Sequence, residues 1–321
     1  MRSARWLGLP ALYVGAQLVG LALAEPFRSE GLATTSNPQS PTAPLFILVV
    51  IVLAPLAILL FARRKGGLAA IRQVILIGIA ASLYLTLFAT FSLAPGTVLL
   101  RPWSAEIVLA PALTYAAVAS AGIYLALLME PQWYVVDLAG FVAGGALIAI
   151  LGISFGILPA LLLLGVLMVY DAIAVYRTKH MVSLADAVTD MKLPILMVMP
   201  DSPSFDYPSA APLREQRARP VEERSALFMG LGDVVIPGTL VVSAFVWLPS
   251  SPHVLGVAGD LLVALSVLAG SLVGYAALMR RVATGNPQAG LPFLNGGAIA
   301  GYVVGFLLVF HSLGLGLSGG L

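Results

Sequence analysis

Nine apolar stretches, each close to the length of a membrane-spanning helix, dominate this chain of 321 residues. They lie at 6–24, 45–62, 71–94, 105–129, 134–153, 157–176, 226–248, 254–279 and 291–316. A helix of about 20 residues crosses the hydrocarbon core of a bilayer. Only 10% of the residues are charged, whereas a soluble domain carries about 25%. The sequence therefore predicts an all-α integral membrane protein with nine transmembrane helices, each of which satisfies its own backbone hydrogen bonds in lipid.

The first apolar stretch also resembles a signal peptide. Arg2 and Arg5 precede it, and it ends in Ala22-Leu-Ala24, which has the small residues of a cleavage site. Its length of about 18 residues suits a membrane span better than a signal core. We therefore interpret it as the first helix.

Basic residues predict the orientation of the chain. With a cytoplasmic N-terminus and nine spans, the cytoplasmic segments hold all but two of the 17 Lys and Arg residues, the exceptions being Arg28 and Arg101. Cytoplasmic loops of membrane proteins carry an excess of Lys and Arg. The N-terminus is therefore expected inside and the C-terminus outside.

One hydrophilic segment divides the chain into a six-helix part, residues 1–176, and a three-helix part, residues 225–321. This segment, 177–224, is rich in proline, so we expect an irregular and flexible cytoplasmic loop. Its apolar middle, 193–199, is too short to span and is expected on the membrane surface or docked into the bundle. Glycines spaced four apart at 140–156 and 297–305 favour close helix packing over a dimer interface.

Several chemistries are excluded or disfavoured by composition. The chain has no cysteine, which excludes disulfides and thiolate metal sites. Its three histidines are far apart, so no metal site and no cofactor are predicted. No run of basic residues with interleaved aromatics indicates nucleic acid binding. The sequence gives no basis for assigning an oligomeric state.

Carboxylates inside the spans are the candidate functional residues, because a charge in the membrane is costly. Glu106, Asp137 and Asp260 lie near span ends, where they can reach interfacial water, and a structural role is favoured for each. Asp171 and Asp233 differ. Asp171 precedes Arg177 by about 9 Å of helix, and Asp233 follows Arg224 by about 13 Å, on the next span.

This matched depth places Asp171 and Asp233 on the cytoplasmic side of two antiparallel spans that contain no basic residue to neutralise them. Two carboxyl groups that face each other in a low-dielectric site cannot both ionise, so one keeps a proton. Such a pair can activate water and protonate a leaving group, as in aspartyl peptidases. The alternative is two separate aspartates, each hydrogen-bonded to backbone or water.

The residues around the two aspartates favour a pair. Tyr170 precedes Asp171, and Gly230-Leu231-Gly232 precedes Asp233, where the glycines allow a backbone to approach closely. A third element, Leu291-Pro292-Phe293-Leu294, begins the last span. Pro292 favours a non-helical start there, and exposed backbone would pair with an extended peptide by strand addition. A plain proline at a helix start is the alternative.

These three elements, in this order, resemble the presenilin and signal peptide peptidase family of intramembrane aspartyl proteases. Tyr170-Asp171 resembles the family's Y-D motif, Gly230-Leu-Gly-Asp233 its G-x-G-D motif, and Glu222-Glu-Arg224 is similar to presenilin. Leu291-Pro-Phe-Leu294 resembles the Pro-Ala-Leu motif, with Phe293 in place of alanine. The charge distribution matches the presenilin orientation rather than the inverted one of signal peptide peptidases.

The resemblance implies an endopeptidase whose catalytic residues are Asp171 and Asp233 and whose substrates are transmembrane helices of other proteins. It places Tyr170, Gly230 to Gly232 and Leu291 to Leu294 around the site, with the lipid bilayer as the surrounding medium. Short outer loops and the absence of an Asn-x-Ser/Thr sequence favour a prokaryotic cell membrane.

Two functions from other classes stay open on the sequence. The same buried aspartates would serve a proton- or cation-coupled transporter as its ion site. A transporter would be expected to show an inverted repeat, which we do not find. A membrane scaffold or insertion factor is the third interpretation, and in it both aspartates would be dispensable.

Overall fold

The computed structural model of the chain describes residues 4–62, 66–92, 105–178, 195–211, 215, 223–254, 256–282 and 288–317. Within these ranges lie nine α-helices, numbered α1 to α9: Ala4–Ser29, Leu45–Ala62, Gly67–Ser92, Ala105–Met129, Trp133–Ser154, Ile157–Ile173, Leu231–Trp247, Gly259–Val282 and Leu291–Phe310. Judged on its described residues, the chain has seven helices long and apolar enough to cross a membrane, and α2 and the 17-residue α7 are not among them. The chain is therefore a mostly helical, multi-pass integral membrane protein.

The seventh apolar stretch is where the prediction is wrong. Residues 226–230, expected to begin a span, form a strand, and α7 starts only at Leu231. A short apolar run fits a strand as well as a buried helix, and a partner strand decides the outcome here. The ends of the last two stretches differ as well, because His253–Val254 and Val257–Ala258 (β3 and β4) precede α8, and His311 ends α9 in a left-handed conformation.

The partner strand comes from the hydrophilic segment between α6 and α7. Leu196–Pro200 (β1) pairs antiparallel with Ala226–Gly230 (β2), with Met197 opposite Met229 and Val198 opposite Phe228. This docks the apolar middle of the segment against the bundle as a strand. The greater part of the remaining predicted loop, including Glu222, lies outside the described residues.

The first helix belongs to the bundle. Tyr13, Ala16, Ala24 and Phe27 are fully buried, and α1 packs against α5 and α7. The interpretation of the first stretch as a helix of the fold is therefore confirmed.

Glycines bring α8 and α9 into backbone contact. A side chain at Gly297 would meet the backbone of Gly270 and Gly274, and one at Gly301 would meet Ser266. On α5, Gly144 faces Leu231 of α7. The glycine spacing thus serves packing within the chain, as predicted.

Candidate active site

Asp233 is positioned by the start of α7. Gly230 is the N-cap residue, and Asp233 lies three residues on, in the first turn. A carboxylate at this position reaches back to the N-cap N–H, and the Gly230 N–H donates to Asp233. A Cβ atom on Gly230 would lie 3.2 Å from Asp233 Oδ2, so glycine allows the close approach that this local arrangement needs.

Asp171 is positioned by a different helix, α9. It lies near the end of α6, is 7% exposed, and accepts a hydrogen bond from the Leu291 N–H to its Oδ2 at 3.0 Å. Gly290, the preceding residue, also lies close enough to this carboxyl group for its N–H to interact with it. The first N–H groups of a helix have no partner within the helix, so Asp171 satisfies the start of α9.

Gly290 and Leu291 connect the two carboxyl groups. While Leu291 donates to Asp171, a Cβ atom on Gly290 would lie 3.3 Å from Asp233 Oδ1. The charge of Asp171 also acts on Asp233, and no cationic side chain among the described residues acts on either group. Both carboxyl groups therefore lie next to the same two residues, Gly290 and Leu291, and are close enough to each other to interact.

A cavity of about 230 Å³ opens beside Asp233. Residues 226–230 of β2 form one wall, and the other is formed by α8 and Gly290. Asp233 itself is only half-buried. The cavity gives an extended segment of chain a path along β2 to the carboxyl group.

The remaining predicted site residues surround this arrangement. Leu231 and Leu294 are buried, Gly232 is exposed, and Leu291 and Phe293 are partly buried. Tyr170 packs against the main core and is close enough to Asp171 to feel its charge.

Pro292 does not have the non-helical conformation that the sequence analysis favoured. It lies in the first turn of α9, so the expectation of a non-helical start is wrong and the plain alternative is correct. Proline has no N–H, and the first turn of a helix does not need one there. The backbone near Pro292, expected to pair with an extended peptide, is helical instead.

Three residues that sequence reasoning missed hold the site segments together. The Tyr176 hydroxyl donates to Gln288 Oε1 at 3.1 Å and accepts from the Ala289 N–H at 3.3 Å. Tyr176 lies in a π-helical segment, Ala174–Thr178, that continues α6. Fully buried Asn295 donates to the Leu164 carbonyl at 3.0 Å and fastens α9 to α6. An asparagine in an apolar span was the available signal.

The other span carboxylates do not join this site. Asp260 accepts a hydrogen bond from the Leu261 N–H at the start of α8, and Asp137 is bound to β1. The side chain of Glu106 lies outside the described residues. Within the parts of the chain that the structure describes, no three His, Cys, Asp or Glu residues cluster as metal ligands.

Comparison with known proteins gives a consistent result. A family model described as signal-peptide peptidase, presenilin aspartyl protease matches residues 10–310. Two solved structures of a presenilin family intramembrane aspartate protease, in space groups C222 and P2, are similar. The first shows 31% identity over 94% of this chain and 99% of that chain, with a TM-score of 0.61. The second shows 30% identity over 94% and 98%, with a TM-score of 0.64. No curated protein matches, and neither the family match nor the two structures favours a transporter.

Proposed function

The chain belongs to the signal-peptide peptidase and presenilin family of aspartyl proteases, and we propose that its catalytic pair is Asp171 and Asp233. It is an intramembrane aspartyl protease, and the family acts on transmembrane helices within the membrane. One observation supports the assignment of the pair: Leu291 donates to Asp171, while the adjacent Gly290 lies close to Asp233.

The pair works as an acid and a base on one water molecule. The ionised carboxyl group takes a proton from the water as its oxygen attacks the scissile carbonyl carbon, and the protonated carboxyl group donates to the carbonyl oxygen. Collapse of the tetrahedral intermediate breaks the C–N bond as a proton passes to the nitrogen, giving a carboxylic acid and an amine. Because the two groups titrate as a unit, the roles belong to the pair rather than to a fixed residue.

The substrate reaches the pair as an extended strand. A helix hides its backbone carbonyls in its own hydrogen bonds, so the scissile region must unwind before attack. Residues 226–230 of β2 line the cavity beside Asp233, and the edge of this strand away from β1 can pair with an extended peptide by strand addition. Tyr170, Gly230 to Gly232 and Leu291 to Leu294 would then shape the space around the scissile bond.

The topology that we propose has nine spans, with the N-terminus in the cytoplasm and the C-terminus outside. The distribution of Lys and Arg supports it. The nine spans are the seven long apolar helices together with α2 and α7. The chain then consists of a six-helix part, 1–176, a cytoplasmic segment, 177–224, and a three-helix part, 225–321. We place the protein in a prokaryotic cell membrane on its short outer loops.

Cleavage of a reconstituted transmembrane peptide tests the catalytic pair. In proteoliposomes, Asp171→Asn and Asp233→Asn should each lower kcat by at least about 10³-fold, because each removes one proton-transfer group. Asn keeps the shape and the hydrogen-bond acceptor, so thermal stability should change little.

Asp260→Asn is the matched control, since Asp260 also lies at the start of a spanning helix but away from the site. It should cleave at nearly the wild-type rate. Near wild-type cleavage by either of the first two variants would exclude that residue from the catalytic pair.

A further inference from the structure

Asp137 is a buried carboxylate that the proposed chemistry does not use. It lies in the first turns of α5, is 5% exposed, and accepts a hydrogen bond from the Val198 N–H to its Oδ1 at 2.6 Å. The two residues are 61 positions apart. A carboxylate within a spanning helix is costly and therefore indicates a functional role, and the N–H that donates to Asp137 belongs to β1.

The direction of the Val198 N–H follows from the sheet register. The Leu231 N–H donates to the Ile195 carbonyl at 2.9 Å, and the Asp201 N–H donates to the Ser225 carbonyl at 2.9 Å. In an antiparallel pair, hydrogen-bonded and non-hydrogen-bonded positions alternate. Odd-numbered residues of β1 therefore bond to β2, and Val198 points its N–H away from β2, at the outer edge of β1.

A second contact sets the sheet against the same helix. Tyr207 is fully buried, and its ring lies 6.4 Å from that of Phe228, the residue opposite Val198. Both Val198 and Tyr207 belong to one core cluster with Val136 and Ala139 of α5. The sheet is therefore held on α5 through one face and through the outer edge of β1.

The two edges of the sheet consequently differ. At the outer edge of β1, Asp137 binds the Val198 N–H, whereas all five residues of β2, with only Leu196 of β1, line the cavity that leads to Asp233. By the same alternation, Phe228 directs its backbone groups to the edge of β2 away from β1. A strand added along β2 would lie in the cavity that contains Asp233.

We propose that Asp137 is a positioning residue that closes the outer edge of β1 and fixes the sheet register, so that a substrate strand adds to β2 in one alignment and is cleaved at one bond. This inference rests on the proposed proteolysis at Asp171 and Asp233. Strand registers that keep the same face inward differ by two residues, a displacement of about 7 Å. A loosened sheet would therefore present a different peptide bond to the pair.

The test measures the position of cleavage by mass spectrometry of products, together with kcat and KM, for a transmembrane peptide in proteoliposomes. Asp137→Leu removes the acceptor and should lower kcat/KM by about tenfold, since a hydrogen bond to a charged group is lost, and spread cleavage over neighbouring bonds. Asp137→Asn keeps a weaker acceptor and should show a smaller loss and less spreading. Hydrogen exchange in the wild-type protein should show a protected Val198 amide.

Ser243→Ala is the matched control. Ser243 is buried and donates to the Phe155 carbonyl at 2.8 Å, between α7 and the turn after α5, but it does not touch the sheet. It should change stability without moving the cleaved bond.

Three results would overturn the role of Asp137: an unprotected Val198 amide in wild type, the wild-type site and kcat/KM in Asp137→Leu, or equal spreading in Ser243→Ala. If Asp137→Leu does not fold, Asp137→Asn decides in its place, and unchanged kinetics and cleavage position then reject the proposal. Failure of the proteolysis itself would look different, because the wild-type protein would give no product.

Discussion

The helices α7 and α9 begin in the same way and are completed in different ways. Each has a glycine as its N-cap residue, Gly230 or Gly290, and glycine has no side chain that could cap the helix. The first turn of α7 carries its own carboxylate, Asp233, whereas the first turn of α9 has no acidic residue and binds Asp171 of α6. One carboxyl group of the pair is thus placed by local sequence and the other by a contact across 120 positions.

This difference shows how the pair is assembled. Asp233 would accept from Gly230 wherever α7 were placed, because both residues lie in one turn. Asp171 meets Leu291 only when α6 and α9 pack correctly, and the same packing brings Gly290 against Asp233. The start of α9 is therefore close to both carboxyl groups. Substitutions there should lower catalytic activity more than substitutions at the start of α7.

Among changes outside the two carboxyl groups themselves, the largest effect is expected from Gly290→Val. A Cβ atom at Gly290 would already lie 3.3 Å from Asp233 Oδ1, and the two methyl groups of valine add further bulk. The backbone at Gly290, with φ −78° and ψ −47°, suits any residue, so the effect is steric. A displacement of about 1 Å at a reacting group costs roughly 10²-fold, and kcat in proteoliposomes should fall by at least that factor.

Two further variants check the steric explanation. Gly290→Ala should lose less activity than Gly290→Val. Gly296→Ala, on the same helix with nothing within 4 Å of its added Cβ, should cleave normally. Wild-type kinetics in Gly290→Val would mean that α9 does not approach Asp233 in the working enzyme.

The same division between local and distant contacts explains what the sequence predicted. Gly230 and Asp233 are three residues apart, so the sequence alone predicted that the glycine allows a close approach to the carboxyl group. The start of α9 was identified as the third element, but its bond to Asp171 depends on packing. Residues 226–230 were assigned to a helix, because the partner strand lies about 30 positions away and five apolar residues fit either structure.

The middle-sized effect is expected from Tyr176→Phe, which removes the hydroxyl that links α6 to the segment before α9. Two hydrogen bonds, to Gln288 and from Ala289, are lost. At about 1 kcal/mol for each net hydrogen bond, the loss of two should lower kcat by up to roughly 30-fold, while KM stays similar, since the contact positions Asp171 rather than substrate. Tyr134→Phe, on the exposed surface of α5, serves as the control. An equal loss in both variants would contradict a role for this link.

The smallest effect on catalysis is expected at the start of α7, from Gly232→Ala. Gly232 is exposed, and an added Cβ would meet nothing within 4 Å. Replacing a helical glycine by alanine stabilises by about 0.5–1 kcal/mol, so the thermal midpoint should rise, while kcat and KM stay close to the wild-type values. Thermal unfolding in detergent and initial cleavage rates measure the two effects separately. A loss of kcat comparable to that of Gly290→Val would show that both helix starts position the pair equally.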